Sequence, residues 1–324
     1  MTVWDYTLQT EVELPSTFGV QYRSSGLDQS FTATCKLDKE GIVPRSQVTN
    51  YLRPSSPEEA LTLLRDGGKS ARYVAGGADV ARTLSSDVTT LIDLCAMNLS
   101  SIEERPDGIV IGATATLSEV LENGSVAGVC DGVIVDMMRK VGSPLLRNIA
   151  TIGGTLASAH SWSDVIPLFL VLNAQVTFYN GEYQTLSLAD AYAAREELAD
   201  SIITSVTIPT STAGDYAAFH KFSRTAYDIA LLNCAAYLHV DDGRCSEVRI
   251  AAGGTPRLGE RLPQTERVLR GETLNTDTIE RAARVARDTT KTADDRRASG
   301  EYRKDLVYAG VKRCLEAIAG KVEA

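Results

Sequence analysis

Two glycine pairs constrain this chain more than any other feature. The first stands in Val74-Ala75-Gly76-Gly77-Ala78-Asp79, directly after a strand candidate at Arg72 to Ala75. The second stands in Arg147-Asn148-Ile149-Ala150-Thr151-Ile152-Gly153-Gly154-Thr155, about 75 residues on. A glycine pair opens backbone conformations closed to other residues and lets another group approach the main chain closely. Backbone N–H groups presented by such a turn suit a diphosphate, and a helix starting just after the turn would add its N-terminal dipole. Read singly, each pair is only a turn. No G-x-G-x-x-G occurs, which argues against a standard dinucleotide fold.

The rest of the chain organises around these pairs. Residues 1–46 are polar, Ser/Thr-rich and weakly periodic, and read as an N-terminal extension. Ser56-Pro57-Glu58-Glu59 predicts a helix start, and Gly67-Gly68 its end. Strands are expected at Arg72 to Ala75, Thr89 to Leu94, Gly108 to Thr114, Ala174 to Tyr179 and Ser201 to Ile208. Leu117 to Asn123 and Gly132 to Val141 are expected to be helical, and the apolar run Val165 to Leu172 to be a buried helix. Asn180-Gly181 signals a two-residue hairpin with Tyr183 to Leu186 returning. Ser211 to Asp215 marks a boundary. Beyond it come three strand candidates, Tyr216 to Phe222, Leu231 to Val240 and Val248 to Ala252, then helices at Asp277 to Asp288 and Leu306 to Ala319. This order predicts an α+β protein: residues 47–212 as one domain, and 213–324 as a smaller C-terminal domain with a three-stranded antiparallel sheet and helices.

Composition excludes several classes. The 324 residues suffice for two domains with real cores. The formal net charge of −9 is the wrong balance for nucleic acid. The Arg-rich stretch Arg281 to Lys304 is interleaved with acids and reads as a solvated helical surface. No run of about 18 apolar residues is present, so no membrane span is expected. Met1 to Pro15 carry Asp5, Glu11 and Glu13 and no basic residue, which predicts no signal peptide and a cytoplasmic protein. The six cysteines form no C-x-x-C, so neither a metal site nor a disulfide framework is expected.

Taken together, the paired motifs mean more than either alone. A-G-G-A-D from Ala75 followed by R-N-I-A-T-I-G-G from Arg147 resembles the FAD-binding medium subunit of the molybdenum hydroxylases, the xanthine dehydrogenase and carbon monoxide dehydrogenase family. Supporting stretches follow in order: Y-L-R-P-S-S-P-E-E-A-L from Tyr51, G-A-T-A-T-L-S-E-V from Gly112, S-D-V-I-P-L-F-L from Ser163, H-K-F-S-R-T-A-Y-D-I-A from His220, G-G-T-P from Gly253 and E-Y-R-K-D-L from Glu301. The resemblance covers roughly residues 47–320.

The resemblance implies a two-lobed FAD-binding domain of the PCMH / vanillyl-alcohol-oxidase-like type, followed by a flavoprotein C-terminal domain. It places Ala75, Gly76, Gly77, Ala78 and Asp79 in one loop around the FAD diphosphate, and Thr151, Gly153 and Gly154 in the other. Ser158 matches a hydroxyl near the diphosphate or ribityl chain. Asp164 matches a carboxylate on the adenosine side, and Lys221 and Asp228 match a segment near the flavin. Thr155 stands where relatives often carry Asn, which puts a side-chain contact there in doubt. Plainer readings stand beside these: Asp164 as the N-cap of an apolar helix, Ser158 as a local loop bond, and Lys221 as an exposed strand residue. His160 reads as a loop residue or one lining the flavin cavity; Trp162 either shields the cofactor or packs.

By the same resemblance this chain holds FAD and no metal, and contributes no catalytic acid or base. A large molybdenum-cofactor subunit and a small subunit with 2Fe-2S clusters are the expected partners, in a dimer of heterotrimers. Electrons are expected to reach the flavin from the clusters and to leave to NAD or another acceptor. Two rivals are a self-sufficient FAD-dependent oxidase or reductase, and a non-enzymatic flavin-binding module. The first would need a substrate cap and an acid–base cluster, which the polar C-terminal hundred residues lack; retention of both glycine pairs weighs against the second.

Overall fold

The protein is seen here as a computed structural model that describes residues 48–323, together with the backbone of two short strands, Val20–Gln21 and Thr34–Cys35, which pair antiparallel. The reading of residues 1–46 as an extension otherwise lies outside the described residues.

The first lobe is a three-stranded parallel sheet in the order Asn50–Leu52, Thr90–Asp93, Ala71–Val74. Parallel strands need a crossover connection, and the helix Pro57–Gly67 joins Asn50–Leu52 to Ala71–Val74, the two strands that flank Thr90–Asp93. Its start is as expected: the Ser56 side chain accepts from the Glu59 N–H, and Pro57 occupies the first turn. Gly68 ends it at φ +50°, a conformation costly for other residues.

The second lobe is a five-stranded antiparallel sheet in the order Ile102–Arg105, Gly108–Gly112, Ile202–Pro209, Gln175–Tyr179, Tyr183–Ser187. Ile202–Pro209 alternates buried and half-buried along its whole length, as a strand with one face on the core must. Tyr179 pairs with Tyr183, so the hairpin loop holds three residues, Asn180 to Glu182, rather than two. The apolar run near Val165 forms the helix Val165–Val171, every residue of which is buried.

The C-terminal sheet runs Asp215–Phe222, Leu232–Asp241, Arg244–Gly253, Glu260–Arg261, all antiparallel. It has four strands instead of the expected three. The fourth is a two-residue edge that pairs with Ala251 and Ala252 and stops just before Pro263, too short to leave a periodic signature.

Leu232–Asp241 explains how the molecule holds together. Its Ala235 and Tyr237 join the core around the helix Val165–Val171. Its Leu232, Cys234, Ala236 and Leu238 join a second core with the helices Thr276–Thr289 and Gly300–Val322. A strand buried on both faces reads as a continuous apolar run rather than an alternation.

The solvated-surface reading of Arg281 to Lys304 holds for Arg281 and Arg284 but fails further on. Arg303 is 1% exposed, donating to the carbonyls of Leu231 and Gly254 and pairing with Asp295 at 2.7 Å.

Candidate functional site

A cleft of about 1250 Å³ opens between the lobes and the C-terminal domain. All eleven residues singled out from the sequence line it, from Ala75 in the first lobe to Lys221 in the C-terminal sheet, and so does Asp228. Two motifs 77 residues apart in the chain, counted from Gly76 to Gly153, are therefore parts of one wall.

The two glycine pairs do different work. In the first loop the N–H groups of Gly76, Gly77, Ala78 and Asp79 donate to no acceptor among the described residues. Gly77 adopts φ +74°, which turns the chain there. A run of unpaired, adjacent amides in a loop that lines a cleft suits an anion. The second pair was expected to offer amides in the same way, in a turn before a helix. Instead the helix Ile152–Ser158 begins ahead of the glycines, and its amides are already taken. Gly153 N–H donates to the Ala113 carbonyl at 2.9 Å, and Gly154 N–H to Thr151 Oγ1 at 3.1 Å, with Thr151 as N-cap. Gly153 is needed for packing, since an added Cβ would lie 2.7 Å from Ala113 Cβ.

Asp79 binds the two motifs to each other. One carboxylate oxygen meets His160 Nε2 and an Arg82 guanidinium nitrogen, each at 2.8 Å; the other accepts from Ser158 Oγ at 3.3 Å. Burial alone would raise this carboxyl, but His160 and Arg82 outweigh it and hold Asp79 below the usual carboxylate range. His160 therefore faces the cleft, stacked on Trp162 with ring centroids 4.5 Å apart and planes 9° from parallel.

Asp164 and Lys221 form a buried ion pair at 2.6 Å, with side chains 5% and 4% exposed. Asp164 stands at the N-cap of the helix Val165–Val171 as its neighbours suggest, but its side chain makes no capping bond; its second oxygen accepts from Asn233 Nδ2 at 2.8 Å. Lys221 also donates to the Lys140 carbonyl at 2.8 Å, so it is not an exposed strand residue. Burial pushes the Asp164 carboxyl up, against the opposing pull of Lys221 and Asn233.

Sequence reasoning missed several wall residues: Arg72, Arg82, Tyr227, Arg296 and Arg297. Tyr227 sits between the Asp228 and Arg224 of a braced loop, in which Arg224 Nε donates to Asp228 Oδ2 at 2.9 Å. The signal for Arg296 and Arg297 was hidden inside a charge run that reads as helical surface.

Comparison with known proteins decides what kind of wall this is. The family described as FAD binding domain in molybdopterin dehydrogenase matches residues 46–211. The chain belongs to that family. Residues 217–318 match the CO dehydrogenase flavoprotein C-terminal domain. The chain is 29% identical over 273 residues to the nicotine 6-hydroxylase medium subunit of Paenarthrobacter nicotinovorans, covering 82% of this chain and 95% of that one. It is 27% identical over 279 residues to the carbon monoxide dehydrogenase medium chain of Afipia carboxidovorans, covering 82% and 95%. The solved structure of reconstituted CO dehydrogenase from Oligotropha carboxidovorans superposes with a TM-score of 0.77 at 25% identity, over 86% of this chain and 99% of that one. As a member of this family the chain is an oxidoreductase subunit, and FAD is its cofactor.

The residues present fit FAD. The first loop offers four amides that are unpaired among the described residues, and a Cβ on Gly76 would fill the space that brings the two loops together. At the far side of the cleft, Ser163 Oγ and Arg297 Nη1 are buried without a partner among the described residues. Buried polar atoms are nearly always hydrogen-bonded, so these two, which lie in the cleft wall, are free to meet polar atoms of a ligand or of water.

Proposed function

We propose that this chain is the FAD-binding electron-transfer subunit of a multi-subunit molybdenum hydroxylase. The observation that carries the reading is the first glycine loop, which lines a cleft shared by both domains and whose amides have no acceptor among the described residues. The amides of Gly76, Gly77, Ala78 and Asp79 hold the diphosphate, and Ala75 completes the turn. Thr151, Gly153, Gly154 and Ser158 form the opposite side, with the glycines allowing close approach rather than donating. Asp164 and Lys221, fixed by each other, present a neutralised polar floor. FAD, when bound, supplies the exchange between one-electron and two-electron transfer. The protein's own task is to place it and to exclude water.

In this reading the partners are a large molybdenum-cofactor subunit and a small subunit with 2Fe-2S clusters, in a dimer of heterotrimers in the cytoplasm. Electrons enter from the clusters and leave to NAD or another acceptor. The names of the relatives support it, since they are medium chains or medium subunits of dehydrogenases and hydroxylases. Among the described residues no helix is long and apolar enough to cross a membrane. Residues 47–212 form the FAD-binding domain and 213–324 the C-terminal domain.

The test is purification of the chain alone and with its genomic neighbours, followed by absorbance before and after reduction and by metal analysis. FAD in the single chain, with molybdenum and iron arriving only with partners, is the expected result. Turnover of a substrate by the single chain would overturn it in favour of a self-sufficient oxidase. A chain that takes up no flavin would reduce it to a non-enzymatic module.

A further inference from the structure

The loop from Ala159 to Ser163 is held from three directions. From the first lobe, Asp79 of the glycine loop bonds His160 Nε2 at 2.8 Å. From the C-terminal sheet, Gly254 N–H donates to the Ser161 carbonyl at 2.6 Å, and Asn233 Nδ2 to the Ser163 carbonyl at 3.1 Å. From the loop before the helix Gly300–Val322, the Arg297 guanidinium lies over the Trp162 ring, 5.5 Å from its centroid. Arg297 is itself braced: Asp295 pairs with it at 3.3 Å and with the buried Arg303 at 2.7 Å. Arg303 in turn ties back to the carbonyls of Leu231 and Gly254.

Unbroken contacts therefore run Asp79–His160–Trp162–Arg297–Asp295–Arg303, from the glycine loop into the C-terminal core. Asp79, His160, Trp162, Asp295 and Arg297 all line the cleft. Ala159 adopts φ +46°, a left-handed conformation unfavourable for a residue with a Cβ, at the turn that leads into His160. Strain of that kind persists where surrounding contacts impose it.

We propose that His160, Trp162 and Arg297 form an interdomain clasp that sets the width of the FAD cleft, with Trp162 as a positioning residue bordering the bound cofactor. The inference rests on the FAD reading given above. Indole suits the task because it stacks flat on His160 and attracts the guanidinium through its ring face. Arg297 suits it because a planar cation can lie over the ring while its buried Nη1 stays available to the cofactor.

The experiment uses the full chain with Trp4 replaced by Phe. The sequence holds two tryptophans, so Trp162 then reports alone. FAD is titrated into flavin-stripped protein while tryptophan emission and flavin absorbance are followed. FAD is expected to quench Trp162 emission with the midpoint seen in the flavin signal. Arg297→Met and Trp162→Ala are expected to weaken FAD binding about tenfold, as loss of a partly desolvated ring–cation contact would. Trp162→Phe should restore most of the loss, which a merely structural role for the indole's bulk and N–H would not require. If Trp162→Ala does not fold, by circular dichroism, Arg297→Met and Trp162→Phe still decide the matter. Emission indifferent to bound FAD, or native affinity in Arg297→Met, overturns the clasp alone. A native chain that takes up no FAD overturns the clasp together with the reading it rests on.

Discussion

Gly76 lies against the Ile149 carbonyl so closely that a Cβ built on it would sit 1.4 Å from the Ile149 oxygen and 2.5 Å from its carbon. The obstruction is backbone, which cannot swing aside as a side chain would. This contact is how the two glycine motifs become one wall. Gly76→Ala is therefore expected to separate the loops, destabilising the chain by on the order of 3 kcal/mol or more. Flavin-to-protein ratio and thermal unfolding check it; native flavin content in the variant would show that the contact is dispensable.

The Asp164–Lys221 pair gives a second test. Removing one member of a buried pair leaves the other uncompensated, at about 3–5 kcal/mol, whereas replacing both with apolar residues costs less. Lys221→Met should thus be more damaging than Lys221→Met combined with Asp164→Leu. Urea unfolding of the two single variants and the double variant measures the coupling. A double variant as unstable as the sum of the singles would refute it.

His220 predicts a pH dependence of stability. Burial, then the cations Arg313 and Lys140, lower its pKa to about 4 from 6.5. Arg313 Nη1 donates to His220 Nε2 at 2.8 Å, which requires a neutral ring. A folded-state pKa below the unfolded one means the unfolded chain binds the extra proton first. Stability from this group is full above about pH 6.5 and is lost as pH falls toward about 4. Allowing for solvent around a half-buried group, the loss is about 1–2 kcal/mol. His220→Gln should flatten melting temperature against pH over that window; an unchanged slope would assign the dependence elsewhere.

Thr151 caps the helix Ile152–Ser158 by accepting from Gly154 N–H. Thr151→Val keeps the shape and deletes the acceptor, so it should cost about 1 kcal/mol of stability. Thr151→Ser should recover most of that in the same denaturation assay.

Much of this architecture could be read along the chain. Ser56 with Glu59, the stop at Gly68 and the buried helix Val165–Val171 stand where their patterns put them. Such signals are decided within a few residues: a cap bonds three positions on, and a turn needs one left-handed residue. The paired glycine motifs also marked the cleft wall and, through resemblance, the family.

Other features needed the folded molecule. Asp164 looks like a helix cap from its neighbours, yet it bonds Lys221 and Asn233, 57 and 69 residues away. Gly153 looks like an amide donor to a ligand, yet Ala113 had already taken its N–H. Arg297 and Arg303 look like surface charge, because only the fold brings Trp162, Asp295 and two buried carbonyls to meet them. The sequence by itself determined most of the elements and several of their caps, since these depend on short-range hydrogen bonds and local backbone freedom; the cofactor class it carried only through resemblance to a family. Which polar groups are buried, and against what, was decided only by tertiary structure, because desolvation and pairing are set by neighbours distant in the chain.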